Sequence, residues 1–205
     1  MRKRWQIGLC SLLLRLLRRL RGVKGKSDGK TTEMSVLTEV EDLEAVMDYV
    51  QSLPYVSGPL LLMGCSHGGF VSALTAAKHP ARGSKLALFY PTLCIPDDAR
   101  AGKMMFTKFD PKNIPAQVSC GPMELGRCDP ADVIRMDPFE EIKGYPGPIL
   151  IVHGTKSKIV HQDYAKRAAA VYPQAKLCLI EGGAHGFSKR HDRIAIASLR
   201  EFLSE

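Results

Sequence analysis

In Pro59-Leu60-Leu61-Leu62-Met63-Gly64-Cys65-Ser66-His67-Gly68-Gly69, a short apolar run ends in a glycine-rich turn built around one serine. The run is bounded by Gly58 and Gly64 and is too short for a helix, so it reads as a buried strand. A helix is predicted to follow, from about Gly68 to His79. The turn carries the pattern G-x-S-x-G, in which a sharp strand-to-helix bend holds the serine in strained φ/ψ and lifts its Oγ above the sheet. Small residues two before and two after Ser66 are expected to avoid collision in that bend. The helix N-terminus and the backbone N–H of His67 then face an oxygen that becomes negative on nucleophilic attack. With 18 Gly and 13 Ser in the chain, such a pattern has a chance expectation of about 0.1. A second copy, Gly25-Lys26-Ser27-Asp28-Gly29, follows no apolar strand and opens no apolar helix, so it reads as a turn. Nor is it a P-loop, because Leu20 stands where the first glycine belongs.

Outward from the turn, strands alternate with helices. Leu86–Tyr90, Ile149–His153 and Leu177–Ile180 read as further strands, and residues 162–172 and 190–203 as helices. Upstream, Val36, Leu37, Val40, Leu43, Val46, Met47 and Val50 form the apolar stripe of a helix from Thr32 to Ser52. This order predicts an α/β fold, a mainly parallel sheet flanked by helices. Residues 93–147 are rich in Pro, Gly, Met and Phe and have no clean period. They are read as an insertion, with a small lid at about 96–145. The core is expected to span 31–205, preceded by a basic leader over 1–30.

At 205 residues, 45% hydrophobic and 24% charged, the chain is globular in composition and long enough for one domain. Its net charge of +8 is unevenly placed. Residues 1–30 carry +9, and the other 175 carry −1. A basic face spread over the fold is therefore absent, which argues against a nucleic-acid partner. Leu9, Leu12, Leu13, Leu16, Leu17 and Leu20 recur at helical spacing among arginines in the leader. Such a segment is suited to lie on an anionic membrane surface through residues 1–22; a segment with no function is the equal alternative. No run of 18 uncharged apolar residues is present. Arg15 interrupts the apolar stretch, and no cleavage site marks a secretory signal. Six scattered cysteines show neither zinc-ribbon nor disulfide spacing and fit a reducing cytoplasm. Neither a cofactor nor a metal is expected.

A serine hydroxyl needs a positioned base. His185, in Glu181-Gly182-Gly183-Ala184-His185-Gly186, directly follows the last strand and is the best placed of six histidines. His67 is discounted because adjacent side chains diverge at such a bend. His153 reads as a structural histidine, and His79, His161 and His191 as surface residues. An acid is expected after the third strand, yet His153-Gly154-Thr155-Lys156-Ser157-Lys158-Ile159-Val160 holds no carboxylate. A hydroxyl at Ser157 could accept the imidazole Nδ1–H but carries no charge. Asp163, Asp97 and Asp98 are the alternative carboxylates.

With these pieces in place, the chain resembles the bacterial cinnamoyl (feruloyl) esterases of the α/β-hydrolase superfamily. The resemblance runs from Gly25-Lys26-Ser27-Asp28-Gly29-Lys30 to the C-terminus. It includes Met34-Ser35-Val36-Leu37-Thr38-Glu39-Val40-Glu41-Asp42, the turn at Ser66, Ile95-Pro96-Asp97-Asp98-Ala99, His153-Gly154-Thr155 and Ile180-Glu181-Gly182-Gly183-Ala184-His185. It implies Ser66 as nucleophile, His185 as base, the His67 backbone N–H as oxyanion donor, and a lid that shapes the pocket for a phenolic acyl group. The family's catalytic aspartate falls on Ser157. Its first strands and the loop giving a second oxyanion N–H have no counterpart in Met1–Gly22, as if another reading frame or start were joined to an esterase body.

Two expectations follow: an exposed edge at Leu60–Met63 that favours homo-oligomers, and weak or no turnover. The expected function is serine carboxylesterase action on a small-molecule ester. A peptidase or other acyl hydrolase of the superfamily, and a non-catalytic remnant, are the alternatives.

Overall fold

The computed structural model describes residues 30–120 and 123–205. The leader as far as Gly29, including the Gly25–Gly29 turn, lies outside the described residues.

Helix α1 (Val36–Ser52) begins at a reciprocal cap. Thr38 N–H donates to Ser35 Oγ at 3.3 Å, and Ser35 N–H donates to Thr38 Oγ1 at 2.9 Å. Two otherwise unpaired first-turn donors are thereby satisfied. The helix thus starts four residues later than its periodicity predicts, and Thr31–Glu33 forms a separate 3₁₀ turn. Val36, Val40, Leu43, Met47 and Val50 are buried as expected, whereas Leu37 is 39% exposed and falls outside the stripe.

Strand β1 (Leu60–Cys65), helix α2 (His67–Lys78) and strand β2 (Gly83–Phe89) follow. Strand β7 (Ile149–Gly154), helix α6 (Gln162–Val171), strand β8 (Ala175–Ile180) and helix α7 (Lys189–Ser204) complete the body. The sheet is parallel throughout, in the order β1-β2-β7-β8. Among the described residues β1 has a neighbour on one side only.

Alternation along the strands sends side chains to two unequal cores. Leu60, Leu62, Leu86, Leu88, Ile149 and Ile151 pack with α1, α2 and α6 in the larger core. Ala87, Phe89, Leu150 and Val152 meet Ala195 and Phe202 of α7 on the other face. Every residue of β7 is buried. A central parallel strand covered on both faces reads as one unbroken apolar run, which is what made it legible.

The insertion between β2 and β7 is built from pieces too short to show a period. It contains α3 (Ile95–Arg100), a hairpin β3 (Lys103–Met104) with β4 (Thr107–Lys108), a hairpin β5 (Gln117–Cys120) with β6 (Met123–Gly126), α4 (Cys128–Val133) and α5 (Pro138–Glu141). Val118, Leu125, Val133 and Phe139 join the larger core. The backbone of Gly126 approaches the carbonyl of Thr32 so closely that a Cβ would lie 1.9 Å from that oxygen. This part of the chain is consequently seated against the start of α1. No helix of the described residues is long and apolar enough to cross a membrane.

Candidate active site

Ser66 sits between β1 and α2 at φ 53° and ψ −122°. A non-glycine residue at this φ is strained, and it holds only where neighbours overdetermine it. Here Ser66 N–H donates to the Phe89 carbonyl at 2.9 Å, while the Ser66 carbonyl accepts from Gly69 N–H at 3.0 Å and Thr92 N–H at 3.1 Å. The turn is thus tied to β2, to α2 and to the loop after β2.

The crowding differs from expectation in one respect. A Cβ on Gly64 would lie 2.0 Å from the Gly68 carbonyl oxygen, so the position two before the serine must be glycine. A Cβ on Gly68 would meet nothing within 4 Å, and the next tight position is Gly69, 3.0 Å from Pro91 Cβ. The residue two after the serine contributes a backbone carbonyl to the collision, not a side chain.

His185 arrives from the loop after β8. This loop is laced to the one after β7: Lys156 N–H donates to the Gly183 carbonyl at 2.8 Å, Thr155 N–H to Ile180 at 3.0 Å, and Gly182 N–H to Thr155 Oγ1 at 2.9 Å. Gly154 and Gly183 touch backbone to backbone; a Cβ on Gly154 would lie 2.3 Å from the Gly183 oxygen. The two loops bring His185 Nε2 to 2.8 Å from Ser66 Oγ, across 119 residues of chain. With the hydroxyl as donor, Nε2 accepts and the ring proton resides on Nδ1.

That Nδ1 is buried and has no hydrogen-bond partner among the described residues. Ser157 does not supply one. Its Oγ accepts instead from Val160 N–H at 3.2 Å, closing a local turn in which a hydroxyl substitutes for a backbone acceptor. The other carboxylates are also engaged elsewhere. Asp97 accepts from Tyr164 Oη at 2.6 Å and pairs with Arg100. Asp98 pairs with Lys103 at 3.2 Å, and Asp163 with His161 at 3.1 Å and Lys166 at 3.3 Å.

Burial, with His153 nearby, pushes the His185 imidazole down to about 4. An imidazolium so placed has no opposite charge among the described residues to offset its lost hydration. His153 is wholly buried; its Nε2 donates to the Val160 carbonyl at 3.0 Å, while its Nδ1 has no hydrogen-bond partner among the described residues.

His67 pairs through Nε2 with Glu39 of α1. It is the first residue of α2. Asp129 of α4 faces the same pair and is 1% exposed. Burial raises its carboxyl to about 6, opposed by the attraction of His67 and by the Val36 N–H at the start of α1. Sequence reading missed this carboxylate–histidine–carboxylate group. Its members lie on three elements far apart in the chain, and no local pattern joins them.

Asp129 yields a signed prediction. The native carboxyl keeps its proton up to about pH 6, whereas the unfolded one loses it near the ordinary aspartate value of 3.8. The native state therefore binds more protons between these values, and stability falls as pH rises from about 4 to 6. Asp129→Asn is expected to remove that slope, worth about 2–3 kcal/mol. Urea midpoints of both proteins at several pH values check it: parallel curves would refute it.

Comparison with known proteins bears on this geometry. Residues 20–119 match the family model Hydrolase_4, described as serine aminopeptidase, S33. No curated protein matches the chain. Est1E from Butyrivibrio proteoclasticus with bound ferulic acid is similar at 27% identity and TM-score 0.81, over 88% of this chain and 74% of that one. A second Est1E structure gives 25% identity and TM-score 0.76, over 84% and 72%. A Paleococcus ferrophilus monoacylglycerol lipase, at 16% identity and TM-score 0.65 over 88% and 79%, shares the fold. Those likenesses to Est1E over most of the chain show that the protein has the α/β-hydrolase fold, and its residues 20–119 are similar to a serine-hydrolase family of that fold.

Proposed function

We propose that the protein hydrolyses carboxylic esters through an acyl-enzyme on Ser66, with His185 as general base and then general acid, and with hydroxycinnamate esters as its substrate class. One observation carries the reading. A serine at strained, positive φ stands 2.8 Å from an imidazole nitrogen delivered by the last loop of the sheet. In acylation Ser66 Oγ attacks the ester carbon and its proton passes to His185 Nε2. The carbonyl oxygen becomes negative against the N-terminus of α2, where the His67 N–H is the donor. Collapse of the tetrahedral species expels the alcohol, which takes the proton from Nε2. Water then repeats the sequence, giving the free acid and restoring Ser66.

Preference for a phenolic acyl group is supported by the likeness to Est1E, a structure of which holds ferulic acid. The insertion seated over α1 is the element to form its pocket. Turnover should be low, because loss of the acid that orients the base lowers kcat by about 10⁴-fold in serine hydrolases.

The test has two parts. A fluorophosphonate is expected to label the folded protein at Ser66 and to leave Ser66→Ala unlabelled. Ferulate release from methyl ferulate is expected to exceed cleavage of a peptide anilide. Faster anilide cleavage would favour a peptidase, the activity in the description of the matching family. Absence of labelling would favour a non-catalytic remnant.

A further inference from the structure

Tyr90 directly follows β2 and is held at φ 38°, with its N–H donating to the Val152 carbonyl at 2.7 Å. A bulky aromatic residue at positive φ is an outlier that the surrounding structure must enforce. The result of this backbone is a ring contact. The Tyr90 ring lies 4.8 Å from the His185 ring at 60° and 4.9 Å from Phe187 at 88°, both edge-type arrangements. Tyr90 thus packs beside an imidazole whose Nδ1 has no hydrogen-bond partner among the described residues.

We infer that Tyr90 is a positioning residue which holds the plane of His185 by ring packing, where a carboxylate on Nδ1 would hold it by a hydrogen bond. The inference rests on the proposed acyl-transfer role of Ser66 and His185. An imidazole bonded through Nε2 alone can swing about its Cβ–Cγ bond. In the acyl-enzyme even that bond is gone, because the esterified Ser66 Oγ has no proton to donate. The ring must nevertheless stay in place to activate water. Aromatic packing persists through the whole cycle, since no chemical step alters it. His153, the other titratable group near His185, is bonded through Nε2 to the Val160 carbonyl, and its Nδ1 makes no hydrogen bond to His185 or any other group among the described residues.

Three variants and two readouts test this. Tyr90→Ala is expected to lower kcat about tenfold with KM within about twofold, as expected for lost alignment of the base. Tyr90→Phe, which keeps the ring, is expected to remain within about twofold of the parent. In a Ser157→Asp background the Tyr90→Ala loss should shrink to about twofold, since two devices that orient one ring are not additive. The second readout is independent of turnover. The ring NMR signal of His185 should be a single narrow resonance in the parent and broadened or doubled in Tyr90→Ala. An unchanged signal in folded Tyr90→Ala, an equal loss in both backgrounds, or a Phe variant as poor as Ala would overturn the inference. Should the parent hydrolyse no ester, the proposed function fails and the ring signal alone decides the role of Tyr90.

Discussion

Ser157→Asp is expected to raise kcat/KM for methyl ferulate by about 10²–10³-fold, part of the roughly 10⁴-fold that an orienting acid supplies elsewhere. The resemblance to the cinnamoyl esterases puts their catalytic aspartate at residue 157, on the loop laced to the one that carries His185. Ser157 N–H donates to the Gly154 carbonyl at 3.1 Å, and its neighbour Lys156 bonds the loop that carries His185. One oxygen of an aspartate can keep the Val160 N–H now held by Ser157 Oγ. The other is then available to the buried, unpartnered Nδ1 of His185.

The variant should also change the pH profile. In the parent, His185 is neutral down to about pH 4, so the acid limb of kcat/KM should fall there. A carboxylate on Nδ1 favours the imidazolium and moves that limb upward, toward the ordinary imidazole range. Both changes should appear together. A faster variant with an unmoved limb would mean that the new aspartate acts away from His185. Unchanged rate in a folded, labelled protein would mean that orientation of the ring by other groups already suffices.

The parts of this site legible in the sequence are those whose cause is local. A strand of four apolar residues, a turn with glycine at position 64 and a helix beginning at once announce a strained serine wherever they occur. His185 could be chosen because it follows the last apolar strand in a Gly-rich loop. The absence of a carboxylate at Ser157 was also plain. What that absence leaves behind was not. Whether the hydroxyl of Ser157 would reach Nδ1 depended on a competing N–H three residues away, at Val160, and the local turn prevailed. Tyr90 gave no signal either. Read in sequence, it is the last residue of a buried strand; its positive φ and its contact with His185 arise only when β2, β7 and the final loop are assembled. Asp129, Glu39 and His67 likewise meet through packing of the insertion on the start of α1. The insertion hid its own structure because no element in it exceeds six residues, less than two helical turns.

The second large effect separates the two glycines that the turn's pattern treats alike. Gly64→Ala is expected to destabilise the protein by about 4 kcal/mol or more, enough to unfold a marginal domain. The new Cβ would meet the Gly68 carbonyl oxygen at 2.0 Å, its carbon at 2.4 Å and Gly69 Cα at 2.7 Å. All three are backbone atoms, so no rotamer change relieves the contact. Relief requires α2 to move away from β1, and that would break the Ser66 bonds to Phe89, Gly69 and Thr92 which hold the serine at φ 53°. Gly68→Ala should do the reverse. Its Cβ enters open space, its φ is not in the left-handed region, and it lies in the first turn of α2. Replacing glycine by alanine there should stabilise by about 0.5–1 kcal/mol, mostly by restricting the unfolded chain. Urea midpoints of the two variants should move in opposite directions from the parent. Equal destabilisation would show that Gly68 is crowded as well, and that α2 lies closer to its surroundings than the distances around Gly64 imply.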